Sequence, residues 1–237
     1  MSQQTKIEWT ETTWNPITGC DQVSEGCKNC YALTLAKRLQ AMGNPRYKNG
    51  FKVTIHDDLI EAPLSWRQPR TIFVNSMSDI FHEKISDEVI LRVFKTMNDA
   101  NWHRFQVLTK RIERLESLAD RITWTNNIWM GVTVENKNTI YRSDILKECN
   151  AHVKFISAEP LLESISEIDL NGIDWIIVGG ESGPRCRPMD GSWVLELKDK
   201  AQEAGTAFFF KQWGGFPKNK AGNLLFGEKH QEFPQQK

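Results

Sequence analysis

The chain has 237 residues, of which 40% are hydrophobic and 25% charged, a composition that excludes wholesale disorder and supplies one sizeable core. Thirty Lys and Arg balance thirty Asp and Glu. That balance excludes a uniformly polycationic nucleic-acid binder and leaves only a local basic patch for such a role.

No stretch of about 18 apolar residues occurs, so no membrane span is expected. The opening residues, Met1-Ser2-Gln3-Gln4-Thr5-Lys6, lack the apolar core of a secretory signal, and a cytoplasmic location is expected. Five cysteines in such a chain point to metal binding or thiols rather than to a disulfide framework.

In chain order, Pro16, Gly19 and Gly26 mark a loop, and a helix runs from Asn29 to Met42 with its stop near Gly43. The segment from Arg38 to Arg70 mixes basic residues with Tyr47, Phe51 and Trp66, and its composition assigns it no role. Six short apolar runs follow, beginning near Thr71, Arg104, Ile128, His152, Asp174 and Ala207. Helical periods lie between them. Ser86 caps a segment with Val89, Ile90, Val93, Phe94 and Met97 on one face. Ile112, Leu115 and Leu118 share a face in 110–118, and Ile140, Ile145 and Leu146 mark a helix over 138–149. Asp190 opens a further helix, with Trp193, Val194, Leu197 and Ala201 inward and Gly205 as its stop.

Near-continuous apolar runs suit strands covered on both faces, which means parallel strands. Alternation with helices makes the fold class α/β. Two closures compete: a doubly wound open sheet, with its chemistry at one switch point, and a TIM-type barrel, complete or partial, which gathers polar residues from every strand end. All six runs end in chemically capable groups, which favours the barrel, with the cysteine loop near the N-terminus. The expected organisation is a single barrel domain over 1–215 and a polar, loosely held C-terminal tail over 216–237.

Those strand ends supply the candidate site. Glu135, Glu159, Glu181 and Lys211 are candidate catalytic residues, since converging carboxylates hold a cationic ligand, receive a proton or bind a divalent metal. The competing reading pairs each carboxylate with Lys110, Arg111, Arg185 or Lys211. Asn75, Ser76, Asp79, Thr109, Lys110, Thr133, Ser157, Gly179 and Gly180 are candidate cofactor contacts. The glycines after the fifth run suit either close approach of a ligand or a plain tight turn. His82 and His103 read as surface or packing residues, and Trp14 and Trp213 as core wall or stacking platforms.

Cys20, Cys27 and Cys30 stand in a C-x6-C-x2-C spacing, with a helix beginning at the last of them. A helix N-terminus favours thiolate. A structural zinc wants four ligands, whereas a four-iron cluster held by three cysteines leaves one iron open. Cys149 or Cys186 is a candidate fourth ligand, and the metal is left open between iron–sulfur and zinc.

The stretch Thr13-Trp14-Asn15-Pro16-Ile17-Thr18-Gly19-Cys20, with Cys27-Lys28-Asn29-Cys30-Tyr31-Ala32, resembles the phage-associated three-cysteine-motif family of uncharacterised proteins. So do Val107-Leu108-Thr109-Lys110-Arg111, Gly131-Val132-Thr133-Val134-Glu135, Ile156-Ser157-Ala158-Glu159-Pro160, Val178-Gly179-Gly180-Glu181-Ser182-Gly183 and Phe210-Lys211-Gln212-Trp213-Gly214-Gly215. That family is similar to radical S-adenosylmethionine enzymes. The resemblance implies that Cys20, Cys27 and Cys30 hold a 4Fe-4S cluster. Its open iron would bind S-adenosyl-L-methionine, and a reducing electron donor would start cleavage to a 5′-deoxyadenosyl radical. The cofactors carry the hard chemistry, and the protein orients and shields it. The implied substrate is unknown, with a nucleobase, nucleotide or nucleic acid favoured by the phage association. Two rival expectations are a zinc-stabilised, nucleic-acid-associated binding module without catalysis, and a metal-dependent hydrolase.

Overall fold

The computed structural model describes residues 3–5, 7–216 and 222–235. Its strands are β1 (Gln3–Gln4), β2 (Thr12–Trp14), β3 (Ile17–Thr18), β4 (Thr54–Ile55), β5 (Thr71–Val74), β6 (Arg104–Thr109), β7 (Ile128–Thr133), β8 (Val153–Ala158), β9 (Trp175–Gly179) and β10 (Ala207–Gln212). Its α-helices are α1 (Tyr31–Ala41), α2 (Asp57–Ile60), α3 (Asp87–Asp99), α4 (Ile112–Leu118), α5 (Tyr141–Lys147) and α6 (Gly191–Ala204). No described helix is long and apolar enough to cross a membrane. The chain divides into two compact units. One holds the residues up to Val23 with Cys30–Met130 and Cys149–His152; the other holds Ser24–Asn29, Gly131–Glu148 and the chain from Val153 on.

In the first unit the hydrogen-bonded order is β1-β2-β5-β6, followed by the start of β7. β2 pairs parallel with β5 (Thr12↔Ile72 to Trp14↔Val74), and β5 with β6 (Thr71↔Arg104 to Val74↔Val107). Ile72, Val74, Phe105 and Val107 are fully buried, as the apolar runs predict for strands covered on both faces. α3 presents Ile90, Val93, Phe94 and Met97 to the core, and α4 presents Ile112, Leu115 and Leu118. Ser86 occupies the N-cap of α3 without a side-chain cap bond; its hydroxyl serves Glu88 instead. The first turn of α3 is stabilised by Asp87 and Glu88 at the positive end of the helix dipole. α1 seats Ala32 and Ala36 on Tyr47 and Met77, with Cys30 partly buried against the same cluster. β3 and β4 form a separate antiparallel pair.

In the second unit β8 pairs parallel with β9 (Phe155↔Trp175 to Ala158↔Val178), and β9 with β10. Trp175 is fully buried, with its ring 5.7 Å from that of Phe155 and 5.9 Å from that of Phe209. The helix expected after Asp190 is α6. Asp190 accepts from the Ser192 amide at 2.8 Å, and Gly205 ends the helix in the left-handed region at φ 67°. Within the segment expected as a loose tail, residues 230–232 run antiparallel beside β10. The Phe210 amide donates to the His230 carbonyl (2.8 Å), and the Glu232 amide to Phe208 (3.1 Å). Trp175 Nε1 donates to the Glu232 carbonyl at 2.9 Å.

Parallel strands alternating with helices match the α/β expectation. β2, β5 and β6 in the first unit and β8, β9 and β10 in the second run parallel to their neighbours, while β1 pairs antiparallel with β2.

His56 and His103 are buried in the first unit, and burial pulls the pKa of each below its ordinary 6.5. The unfolded chain therefore takes up protons first as pH falls, and these two histidines subtract stability below about pH 6.5. Thermal melts should show a lower Tm at pH 5.5 than at pH 7.5. The double variant His56→Gln, His103→Gln should narrow that gap; an unchanged gap would refute this assignment.

Candidate functional site

Cys20 follows Gly19, and its Sγ lies 3.4 Å from Arg111 Nη1. Arg111 stands just past the end of β6 and is itself buried (8% exposed). Burial works against its charge, but Asp79 and Cys20 beside it outweigh that and hold its pKa above the ordinary value. Asp79 is the hub of this end of the first unit. It accepts from the Phe81 amide (3.0 Å), Thr109 Oγ1 (2.8 Å), the Lys110 amide (3.0 Å) and Arg111 Nη1 (3.2 Å). Of the expected cofactor contacts, Asp79, Thr109 and the Lys110 backbone therefore meet in one network.

Asn75, one residue past β5, sits in the left-handed region at φ 57°, a conformation that asparagine tolerates better than most residues. Both polar atoms of its buried side-chain amide lack a hydrogen-bond partner among the described residues. Ser76 gives its hydroxyl to Asn15 (3.2 Å) and its carbonyl to the Tyr31 hydroxyl (2.5 Å). Asp21, His82 and Glu83 also gather their ligand atoms within 4.8 Å of one another. Lys84 Nζ lies 2.6 Å from Asp21 and Arg111 Nε 3.2 Å from Glu83, and the Lys84 amide donates to His82 Nδ1 at 3.1 Å. Lys84 and Arg111 thus each pair with one of the two carboxylates, and His82 Nε2 faces Asp21 at 3.2 Å.

In the second unit the three candidate glutamates each meet a cation. Glu159 Oε1 receives Lys211 Nζ at 2.7 Å, and its Oε2 receives Ser157 Oγ at 3.3 Å. A Cβ on Gly179 would stand 2.6 Å from Glu159 Oε1, so the glycine makes room for that pair. Glu135 has no exposure; Arg142 Nη1 reaches its Oε2 at 2.8 Å and also the Thr133 carbonyl at 2.9 Å. Ser24 Oγ donates to Glu135 Oε1. Glu181 accepts from Asn29 Nδ2 (2.9 Å), the Arg187 amide (2.9 Å), Arg187 Nε (3.0 Å) and Arg187 Nη2 (2.6 Å). Burial alone would raise the Glu181 pKa; Arg187 and Asn29 bring it below its ordinary value. A Cβ on Gly180 would meet the Trp213 carbonyl at 2.0 Å, so this glycine lets two backbones touch.

Cys27 lies in the short turn Glu25–Cys27, its Sγ 3.8 Å from Ser24 Oγ. Cys30 holds the N-cap position of α1. All five cysteines are thiols. Half-buried thiols with a guanidinium at Cys20 fit an anionic thiolate-bound cluster. The orphaned Asn75 amide fits a polar ligand contact at the end of β5.

Sequence reasoning missed Arg142, Arg187, Ser24 and Asn29. Arg187 stands two positions from the Arg185 that was expected to pair. Arg142 comes seven residues after Glu135, with no local pattern linking them.

Replacing Asp79 by Ala would leave buried Arg111 with only the exposed Glu83 of the two carboxylates described beside it, and three further donors without their acceptor. Denaturant melts should show a loss of about 3–5 kcal/mol. Truncating the exposed Asp58 opposite Arg46 should change stability little. Equal effects at the two sites would contradict the buried network.

Three solved structures share the fold, all of spore photoproduct lyase. One is complexed with dinucleoside spore photoproduct (11% identity, TM-score 0.53), one is a double mutant with bound AdoMet and dinucleoside spore photoproduct (11%, 0.51), and one is a single mutant (12%, 0.53). Each likeness covers 86% of this chain and 64% of the other, so the chain spans under two thirds of that protein's length. No curated protein matches the sequence. The family described as "Protein of unknown function (DUF5131)" matches residues 4–234, and the chain belongs to that family.

Proposed function

We propose that this DUF5131 chain is a radical S-adenosylmethionine-type iron–sulfur enzyme on a partial barrel, acting on a nucleobase or nucleotide substrate. The observation that carries the reading is the cysteine trio Cys20, Cys27 and Cys30 within eleven residues of chain, with Arg111 Nη1 3.4 Å from the first sulfur. The fold likeness supports it, since one similar structure is described with AdoMet and a dinucleoside bound.

On this reading the three cysteines hold a 4Fe-4S cluster. Together the cluster and S-adenosylmethionine supply one-electron cleavage of a sulfonium and abstraction of a substrate hydrogen. The chain's own residues bind and orient. Arg111 offsets the negative charge gathered on sulfur, and Asp79 keeps that guanidinium in place. Asn75 offers an amide whose donor and acceptor are both uncommitted, the property a ligand with amino and carboxylate groups calls for. Lys211 and Glu159 form an ion pair at the strand ends of the second unit, and on this reading their charges serve substrate.

Anaerobic reconstitution of the full chain should give close to four irons, and reduction with S-adenosylmethionine should release 5′-deoxyadenosine. Cys20→Ala, Cys27→Ala and Cys30→Ala should each lower bound iron to about one per chain or less. A wild-type chain that carries one zinc and takes up no iron would overturn the proposal in favour of a zinc-stabilised module.

A further inference from the structure

Glu135 and Glu181 entered the sequence analysis as candidate catalytic carboxylates, and their surroundings assign them another task. We infer that they are positioning residues that clamp the cysteine loop Ser24–Asn29 at its two ends and so fix Cys27. The inference rests on the proposed ligand role of Cys27.

Glu135 holds the start of the loop. Its Oε1 accepts from Ser24 Oγ, while Arg142, itself buried, anchors its Oε2 at 2.8 Å. The loop lies directly on this carboxylate. A Cβ added to Gly26 would come within 2.7 Å of Glu135 Oε1, so only glycine fits without displacing it. Glu181 holds the end of the loop, because Asn29 Nδ2 donates to its Oε2 at 2.9 Å and to the Arg185 carbonyl at 2.9 Å. Arg187, fixed on Glu181 by three hydrogen bonds, reaches the middle of the loop at the Glu25 carbonyl with Nη2 (3.1 Å). Between these anchors the chain forms one tight turn, in which the Cys27 amide donates to Ser24 (3.0 Å) and the Lys28 amide to Glu25 (3.1 Å).

A general base or a cation-binding carboxylate needs lone pairs left for its client. Glu181 spends its oxygens on four donor contacts within the protein. Glutamine at Glu181 keeps an oxygen for the three donors on Oε2 but turns its NH2 toward Arg187 Nη2, the atom that also reaches the Glu25 carbonyl, and so loosens the loop there. Glu159 pairs instead with Lys211 and Ser157.

The test follows the sulfur itself, in metal-free full-length protein, by the rate at which N-ethylmaleimide labels each cysteine as read by peptide mass spectrometry. Two variants loosen the clamp from opposite sides: Glu181→Gln, and the double variant Ser24→Ala, Asn29→Ala, which leaves the buried Glu135–Arg142 pair intact. Both should label Cys27 about fivefold faster or more through local opening of the loop, with Cys149 labelling and Tm near wild type. Ser24→Thr, which keeps the hydroxyl, should label at the wild-type rate, and so should Glu167→Gln, whose carboxylate pairs with Lys137. After reconstitution, both loosened variants should show a shifted or broadened cluster signal in electron paramagnetic resonance. Unchanged Cys27 labelling in both loosened variants overturns the inference. If labelling accelerates as stated but the wild-type chain takes up no iron, the clamp stands and the radical-enzyme reading falls.

Discussion

A charged group buried in protein must be matched where it stands, because water is no longer there to do it. Glu135 is the sharpest instance in this chain. It has no exposure and its oxygens face Arg142 and Ser24. That single carboxylate ties the end of β7, the helix α5 that carries Arg142, and the loop that carries Cys27. Asp79 plays the corresponding part in the first unit, drawing the ends of β5 and β6 together and setting Arg111 against Cys20. In both units the polar strand ends are satisfied chiefly by the chain itself, and what they organise is the cysteine-bearing segment.

A net charge of zero takes on a local meaning in that light. Arg111, Arg142, Arg187 and Lys211 each stand opposite a specific carboxylate at a strand end. These four cations are spent on internal pairs rather than displayed as a surface field. A polyanion would find little long-range steering from such groups. Recognition of a nucleotide by this chain would fall to shape, stacking and short-range polar contacts.

The sequence was most legible where local chemistry decides. Asp190 and Gly205 bracket α6 because a cap and a left-handed stop are properties of single residues. The apolar runs became β5 to β10 because burial on both faces leaves a continuous signature. β1 to β4, of two or three residues each, are too short to show a period. The carboxylate partners were the least legible. Lys211 stood among the cations considered and meets Glu159, but Glu135 found Arg142 and Glu181 found Arg187, since the choice depends on how helices return over strands. The clamp on the loop is invisible for the same reason: Ser24 and Glu135 are 111 positions apart.

The stretch around His230 carries one more lesson. It is mostly polar, and it is held on β10 by backbone amides and carbonyls together with the Phe233 ring against Trp175 and Phe209. Any strand at the rim of a sheet offers a ready template for foreign chains, and Phe208, Phe209 and Phe210 would make this rim unusually sticky. A gene cut short before codon 230 would therefore yield not a trimmed protein but one with an open aromatic seam, prone to self-association during expression.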